Sequence, residues 1–187
     1  MTRFAKLLAH LSLAVVSGCV ARVSTNTVGK LPPEAFADSS TGVVVFSAGA
    51  PEARPQYYTM LLVFDHATRQ MVPHLRIYMD SREEASDVPE YHSTVHALRL
   101  PPGSYDVIPG TVNYRERTTP TFRLEVRAGE TTYAGELFLT WNGEREKRFA
   151  VRDWYNRDLA VARAKNPALG ARPVVKRLMR AGPTFRG

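Results

Sequence analysis

Apolar positions along the chain recur in short runs separated by turn-forming residues. Leu7–Val16 (LLAHLSLAVV) is the first, and after a polar stretch come Val43–Ala48 (VVVFSA), Thr59–Asp65 (TMLLVFD) and Leu75–Met79 (LRIYM). In LRIYM, Leu75, Ile77 and Met79 fall on one side and Arg76 and Tyr78 on the other, the period-2 alternation of a half-buried strand. His96, Leu98 and Leu100 alternate with Ala97 and Arg99, and Phe122, Leu124 and Val126 with Arg123, Glu125 and Arg127. Tyr133, Gly135, Leu137, Leu139 and Trp141 fall in one register down a long strand, and Phe149 and Val151 close the series. Pro101-Pro102-Gly103, Ala128-Gly129-Glu130 and Asn142-Gly143 supply turns, the last a strong hairpin signal. Tyr105 and Val107 begin a strand that Pro109-Gly110 is expected to interrupt, because proline cannot donate to a central ladder. Ser81–Glu90 reads as an exposed acidic loop. Seven or eight short strands with frequent turns predict a mainly β chain folded as an antiparallel β-sandwich.

Beyond Trp154 the period changes. Arg157–Lys165 is expected to be a short helix with Asn156 as its cap and Asp158 in its first turn, stopped by Asn166-Pro167. Pro173–Arg180 (PVVKRLMR) pairs Val174 with Leu178 and Val175 with Met179 at helical spacing, which predicts a second helix. Charge segregates along the same boundary: residues 19–144 carry a net charge of −4 and residues 145–187 a net of +9. Val20–Thr41 is polar, holds Pro32-Pro33 and lacks periodicity, so it reads as a flexible tether, with an irregular arm packed on the body as the alternative. The expected organisation is a leader over 1–18, an N-terminal tether over 19–41, the strand-rich domain over 42–155 and a basic, partly helical extension over 156–187.

The leader decides the address. Arg3 and Lys6 precede the apolar run, and small Ser17 and Gly18 follow it before Cys19. A charged start, a short apolar core and a small-residue exit describe a secretory signal peptide. A spanning helix needs about 20 apolar residues, twice this run. Val16-Ser17-Gly18-Cys19 resembles the lipobox of bacterial lipoproteins. That resemblance implies cleavage between Gly18 and Cys19, a diacylglyceryl group on the Cys19 thiol and acylation of the new amino terminus. No other cofactor is expected. With Val20 after the cysteine rather than Asp, it implies the outer membrane, with the body facing the periplasm.

Two further stretches carry a resemblance. Leu98–Tyr105 (LRLPPGSY) resembles the turn of prealbumin-like sandwich modules, including carboxypeptidase regulatory-like domains, and Phe122–Leu137 (FRLEVRAGETTYAGEL) is similar to a stretch of bacterial envelope lipoproteins of unknown function built on such modules. The fold this implies is a prealbumin-like, Greek-key β-sandwich with a short C-terminal helical extension. Physically, Tyr105 is expected to bury its ring while its hydroxyl finds a backbone partner, and Gly135 to leave room for a large neighbour.

Motifs for chemistry are sparse. Phosphate loops, the G-x-S-x-G elbow and H-E-x-x-H do not occur, and the single cysteine is committed to lipid. The mature chain holds His66, His74, His92 and His96; four strand residues set the last two about 13 Å apart, too far for one metal. Asp65-His66 reads as turn chemistry rather than an acid–base pair, and Glu83, Glu84, Asp87 and Glu90 lack calcium-loop spacing. Tyr57, Tyr58, Trp141 and Trp154 could stack on a sugar, but Trp141 sits in the apolar register of its strand. Lys176, Arg177 and Arg180 in the acid-free tail are candidates for contact with anionic lipid, peptidoglycan or an acidic partner; export from the cytoplasm argues against nucleic acid. The expected role is non-enzymatic: a binding or assembly module for an envelope protein. A structural component of a secretion or cell-wall machine, and an envelope hydrolase or metal-dependent enzyme, are the alternatives.

Overall fold

The first strand, β1 (Gly42–Ala50), is buried along its whole length, which the run of small and β-branched residues permits only if both of its faces are covered. The computed structural model describes residues 27–54, 58–73, 75, 77–111, 119–142, 146–170 and 172–184, and shows how that cover arises. The described residues are mainly β, with two sheets and one α-helix, α1 (Tyr155–Lys165). The other strands are β2 (Thr59–Asp65), β3 (Ile77–Tyr78), β4 (His92–Leu100), β5 (Gly103–Thr111), β6 (Phe122–Val126), β7 (Thr131–Asn142), β8 (Glu146–Arg152), β9 (Val175–Lys176) and β10 (Arg180–Ala181). One sheet runs β4-β1-β7-β8 with β9 also on β7; the other runs β10-β6-β5-β2-β3.

The sheets enclose a core that takes Val44, Phe46 and Ala48 from β1, Leu61 and Val63 from β2, Leu98 and Leu100 from β4, Tyr105 and Val107 from β5, Leu124 from β6 and Leu137 and Leu139 from β7. The opposite face of the first sheet, with Val43, Val45, Val95, Ala97 and Tyr133, packs against Leu159 and Ala162 of α1 and against Val28, Leu31, Ala35 and Phe36. Val28, Ala35 and Phe36 belong to two 3-10 turns, Val28–Lys30 and Pro33–Phe36, and Leu31 caps the first. Asn166 Nδ2 fastens them by donating to the carbonyls of Val28 (2.8 Å) and Leu31 (2.9 Å). Within 19–41, then, the described residues from Thr27 onward pack along the body as the irregular arm rather than hanging free as a tether.

Several expectations are corrected. Two pairings are parallel, β1 with β7 and β7 with β9, so the sheets are not antiparallel throughout. Strand β5 runs through Pro109 and Gly110, which pair with Leu61 and Met60. Among the described residues, its pairing with β6 extends to Val107–Phe122, two residues short of Pro109, so the proline lies beyond the stretch paired to both β2 and β6. The second helix over Pro173–Arg180 does not form. That segment is extended: Arg177 N–H donates to the carbonyl of Tyr133 and Met179 N–H to that of Ala134, edge groups of β7 that β8, ending at Arg152 opposite Glu136, leaves free. Unpaired backbone beside it outweighs a weak helical period. Helix α1 begins at Tyr155 with Trp154 in the cap position and no side-chain cap bond, so Asn156 is not the cap.

The long strand is corrected as well. Between Tyr133 and Glu136 the register against β1 slips by one residue, and Gly135 sits there at φ +92°. A β-bulge at that point reverses the alternation. Leu137 and Leu139 face the core between the sheets, whereas Tyr133 points to the helix side. Gly135 does leave room for large neighbours: a Cβ there would lie 2.9 Å from Val151 Cγ1 and 3.2 Å from Leu178 Cδ2. Tyr105 also meets its expectation, with a buried ring and a hydroxyl donating to the Pro101 carbonyl at 2.9 Å.

Candidate functional site

The bulge in β7 places two acidic environments side by side under α1. Glu136, with no exposed surface, accepts hydrogen bonds from Ser93 Oγ (2.8 Å), Tyr91 OH (3.1 Å), Arg152 Nε (2.8 Å) and Arg157 NH2 (3.0 Å). Asp158, equally buried, accepts from Ser47 Oγ (2.6 Å), Tyr133 OH (2.8 Å) and both Nε and NH2 of Arg157 (2.8 and 2.6 Å). Two carboxylates removed from water are tolerable only because two guanidinium groups and four hydroxyls satisfy them. Tyr91 also receives a hydrogen bond from Arg157 NH1.

Burial pushes the Asp158 carboxyl above the usual carboxylate range, against the bonds from Ser47, Tyr133 and Arg157 that favour its charge. Burial raises the Tyr91 phenol and, more strongly, the Tyr133 phenol, which also feels Asp158. For Arg157, burial opposes the charge, but the bonds to Asp158 and Tyr91 outweigh it and hold the guanidinium firmly protonated.

The arginines are locked between rings. Arg152 lies 3.6 Å from the Phe138 ring centre and 4.9 Å from that of Tyr91; Arg157 lies 5.1 Å from the Trp154 ring. Trp154 N–H of the backbone donates to Tyr133 OH at 3.0 Å, which ties the tryptophan to the buried network. Its side chain remains outside: Trp154 is 43% exposed and is one of few large apolar side chains so placed among the described residues. The result is a rigid patch of Trp154, Arg152, Arg157 and Tyr91 on a preorganised base. Trp, Tyr and Arg are the residue types that dominate binding hot spots, because each covers much area with few freely rotating bonds.

The residues singled out in the sequence have varied fates. Lys176 Nζ pairs with Asp153 Oδ2 at 2.8 Å, and Arg177 NH1 with Glu130 Oε1 at 2.5 Å, so both pin the extended tail to the body. Arg180 is exposed on β10 and has no ion pair among the described residues. Gly18, Cys19, Tyr57 and His74 lie outside the described residues. The remaining histidines are apart: His66 Nδ1 lies 2.8 Å from Asp106 Oδ2 on the second sheet, while His96 Nε2 lies 2.7 Å from Thr94 Oγ1 on β4. His92, also on β4, keeps a buried Nε2 that has no hydrogen-bond partner among the described residues. Among the described residues, no group of three or more His, Cys, Asp or Glu is arranged to hold a metal ion. Asp65 forms a turn, accepting from Thr68 N–H at 2.7 Å. Trp141 packs beside the inter-sheet core, with the Arg54 guanidinium 3.6 Å from its ring centre.

The sequence reading missed the Glu136–Arg152–Arg157–Asp158 network. Its one legible signal was acidic residues at positions a strand or helix would bury: Glu136 between Gly135 and Leu137, and Asp158 beside Leu159. Neither a family model nor a curated protein matches this chain. Function therefore has to be argued from the site itself.

Proposed function

We propose that this chain is an outer-membrane lipoprotein, lipidated on Cys19 and facing the periplasm, that acts as a non-enzymatic binding or assembly module for an envelope protein partner. The two sheets and the Leu98–Tyr105 corner between them, closed by the Tyr105–Pro101 bond, support a prealbumin-like, Greek-key β-sandwich as the scaffold. The address rests on the apolar leader and the Val16–Cys19 lipobox. The observation that carries the binding reading is the exposed Trp154 ring beside two arginines that buried carboxylates hold in place. Such a constellation offers a fixed aromatic and cationic surface for a partner to cover.

The test is crosslinking in intact cells followed by mass spectrometry, comparing the wild type with Trp154→Ala. Truncation of an exposed ring should leave the melting temperature nearly unchanged, while a hot-spot loss of about 1.4 kcal/mol or more should weaken the crosslinked partner at least tenfold. An undiminished partner band would remove Trp154 from the contact. Absence of any discrete partner would remove the binding reading.

A further inference from the structure

We infer that the outer face of the second sheet carries a phosphate-binding site, formed by Arg123, Arg180 and Arg69 around Asp106 and separate from the Trp154 patch on the first sheet. Strand register places it. Arg180 on β10 is the partner of Arg123 on β6, Arg123 of Asp106 on β5, and Asp106 of Phe64 on β2, so the four form one row across the sheet. Their chain neighbours Met179, Phe122, Leu124, Tyr105, Val107 and Val63 all enter the core between the sheets. Alternation along each strand therefore turns the row to the outside.

Asp106 orients the cations. Its Oδ1 accepts from Arg123 Nε at 2.9 Å, and its Oδ2 accepts from Arg69 NH1 at 3.1 Å and lies 2.8 Å from His66 Nδ1. The Asp106 side chain is buried, so these bonds fix the guanidinium groups at the surface. Arg69 reaches the carboxylate from the turn after β2 and is the one non-glycine residue with positive φ (60°) among the described residues. A left-handed position suits glycine or asparagine better than arginine, so the turn accepts backbone strain where the cation stands.

One carboxylate does not balance three arginines. Arg180 is exposed and directly opposite Arg123, a juxtaposition of like charges that destabilises a strand pair. Arg123 spends only Nε on Asp106, which leaves its two terminal nitrogens without a hydrogen bond among the described residues. Glu125, two residues along β6 on the same face, is engaged by Ser104 Oγ at 2.8 Å. An oxyanion seated between Arg123 and Arg180 relieves the repulsion, since cross-strand Cβ atoms lie about 5 Å apart and each planar guanidinium offers paired donors to it. A phosphate monoester, with a charge of about −1.5 to −2 and three acceptor oxygens, matches two guanidinium groups better than a singly charged carboxylate. Phosphate on a small solute and phosphate in a lipid headgroup present the same oxygens. Phe64, at the end of the row, and the exposed Met71 bridged to it offer an apolar flank to a ligand that carries acyl chains.

The test is a nuclear magnetic resonance titration of the full-length, arginine-labelled chain in detergent with inorganic phosphate at constant ionic strength. The Nε–H signals of Arg123 and Arg180 should move together and saturate with one Kd of about 1 mM or lower. Arg180→Gln should weaken that Kd at least about fivefold while the melting temperature without phosphate holds or rises, because a like-charge pair is lost. Arg148→Gln, which removes an exposed arginine of the first sheet, should leave the Kd unchanged. The site is overturned if the two signals do not saturate by about 20 mM phosphate, or if Arg180→Gln binds as tightly as wild type. It is equally overturned if Arg148→Gln weakens binding as much as Arg180→Gln, which would mean general screening of charge. Dihexanoyl phosphatidic acid, titrated in the same way, separates the two sources once phosphate binds. A Kd at least about tenfold below that of inorganic phosphate assigns the site to lipid headgroups, and an equal or weaker one assigns it to small phosphorylated solutes.

Discussion

Replacing Glu136 by glutamine keeps the shape of the side chain and removes its charge, leaving the Arg152 guanidinium without its carboxylate. Removing one partner of a buried ion pair costs about 3–5 kcal/mol, because the remaining charge stays desolvated and uncompensated. Here the cost falls to the lower end of that range or just below it. Glu136 has no exposed surface, but Arg152 keeps 30% of its side chain in solvent, and Arg157 retains Asp158 as a second partner. The expected loss is about 2–3 kcal/mol, a sizeable share of the 5–15 kcal/mol that stabilises an ordinary domain, and the melting temperature should fall by about 5–10 °C. Urea unfolding of the wild type, Glu136→Gln, Arg152→Met and the double variant gives the coupling directly. If the pair acts as described, the double variant is less destabilised than the two singles added together, by at least about 1 kcal/mol. A melting temperature within 2 °C of wild type for Glu136→Gln, or additive losses, would falsify the view that this network organises the outer face.

Two further outcomes test other parts of the fold. Gly135→Ala forces a side chain onto a backbone at φ +92° and against Val151 and Leu178, so calorimetry should register a loss of about 3 kcal/mol, from left-handed strain and overpacking together; a loss under 1 kcal/mol would mean the bulge relaxes freely. Acid should destabilise the second sheet through Asp106: burial works to raise its carboxyl, but His66 and Arg123 more than offset it and hold the group below 3.8. A carboxyl lowered on folding contributes stability above its unfolded pKa and loses it as pH falls through the folded value. Stability measured below pH 4 should drop in the wild type and be flatter in Asp106→Asn; parallel acid limbs would refute the assignment.

The strand pattern was legible because it rests on local alternation. Ile77 and Met79, Leu98 and Leu100, and Leu124 and Val126 are buried as their spacing indicates. Tyr105 and Gly135 were legible for a related reason: a hydroxyl on a buried ring needs a partner, and a glycine amid large residues marks a close approach. Gly135 nonetheless misled the reading of its own strand. Period-2 counting assumes an unbroken pleat, and the bulge put Tyr133 on the helix side instead of with Leu137. The Pro173–Arg180 segment misled in the opposite direction, since its helical spacing was real but the open edge of β7 supplied stronger partners.

What the chain determines by itself is the sequence of its short strands, the apolar run Leu7–Val16 ahead of Cys19 and the accumulation of positive charge after residue 144. Where that charge goes was decided only by the tertiary structure. Lys176 and Arg177, which read as candidates for an anionic partner, are paired instead with Asp153 and Glu130, while Arg152 and Arg157 reach Glu136 and Lys165 reaches Asp87. Net charge counts residues along a line, whereas an ion pair depends on which residues folding brings within a few ångströms. For the same reason the packed arm at 27–41 stood beforehand only as the alternative to a tether: its four apolar residues have no periodicity, and they acquire a place only once α1 and the first sheet form the groove that receives them.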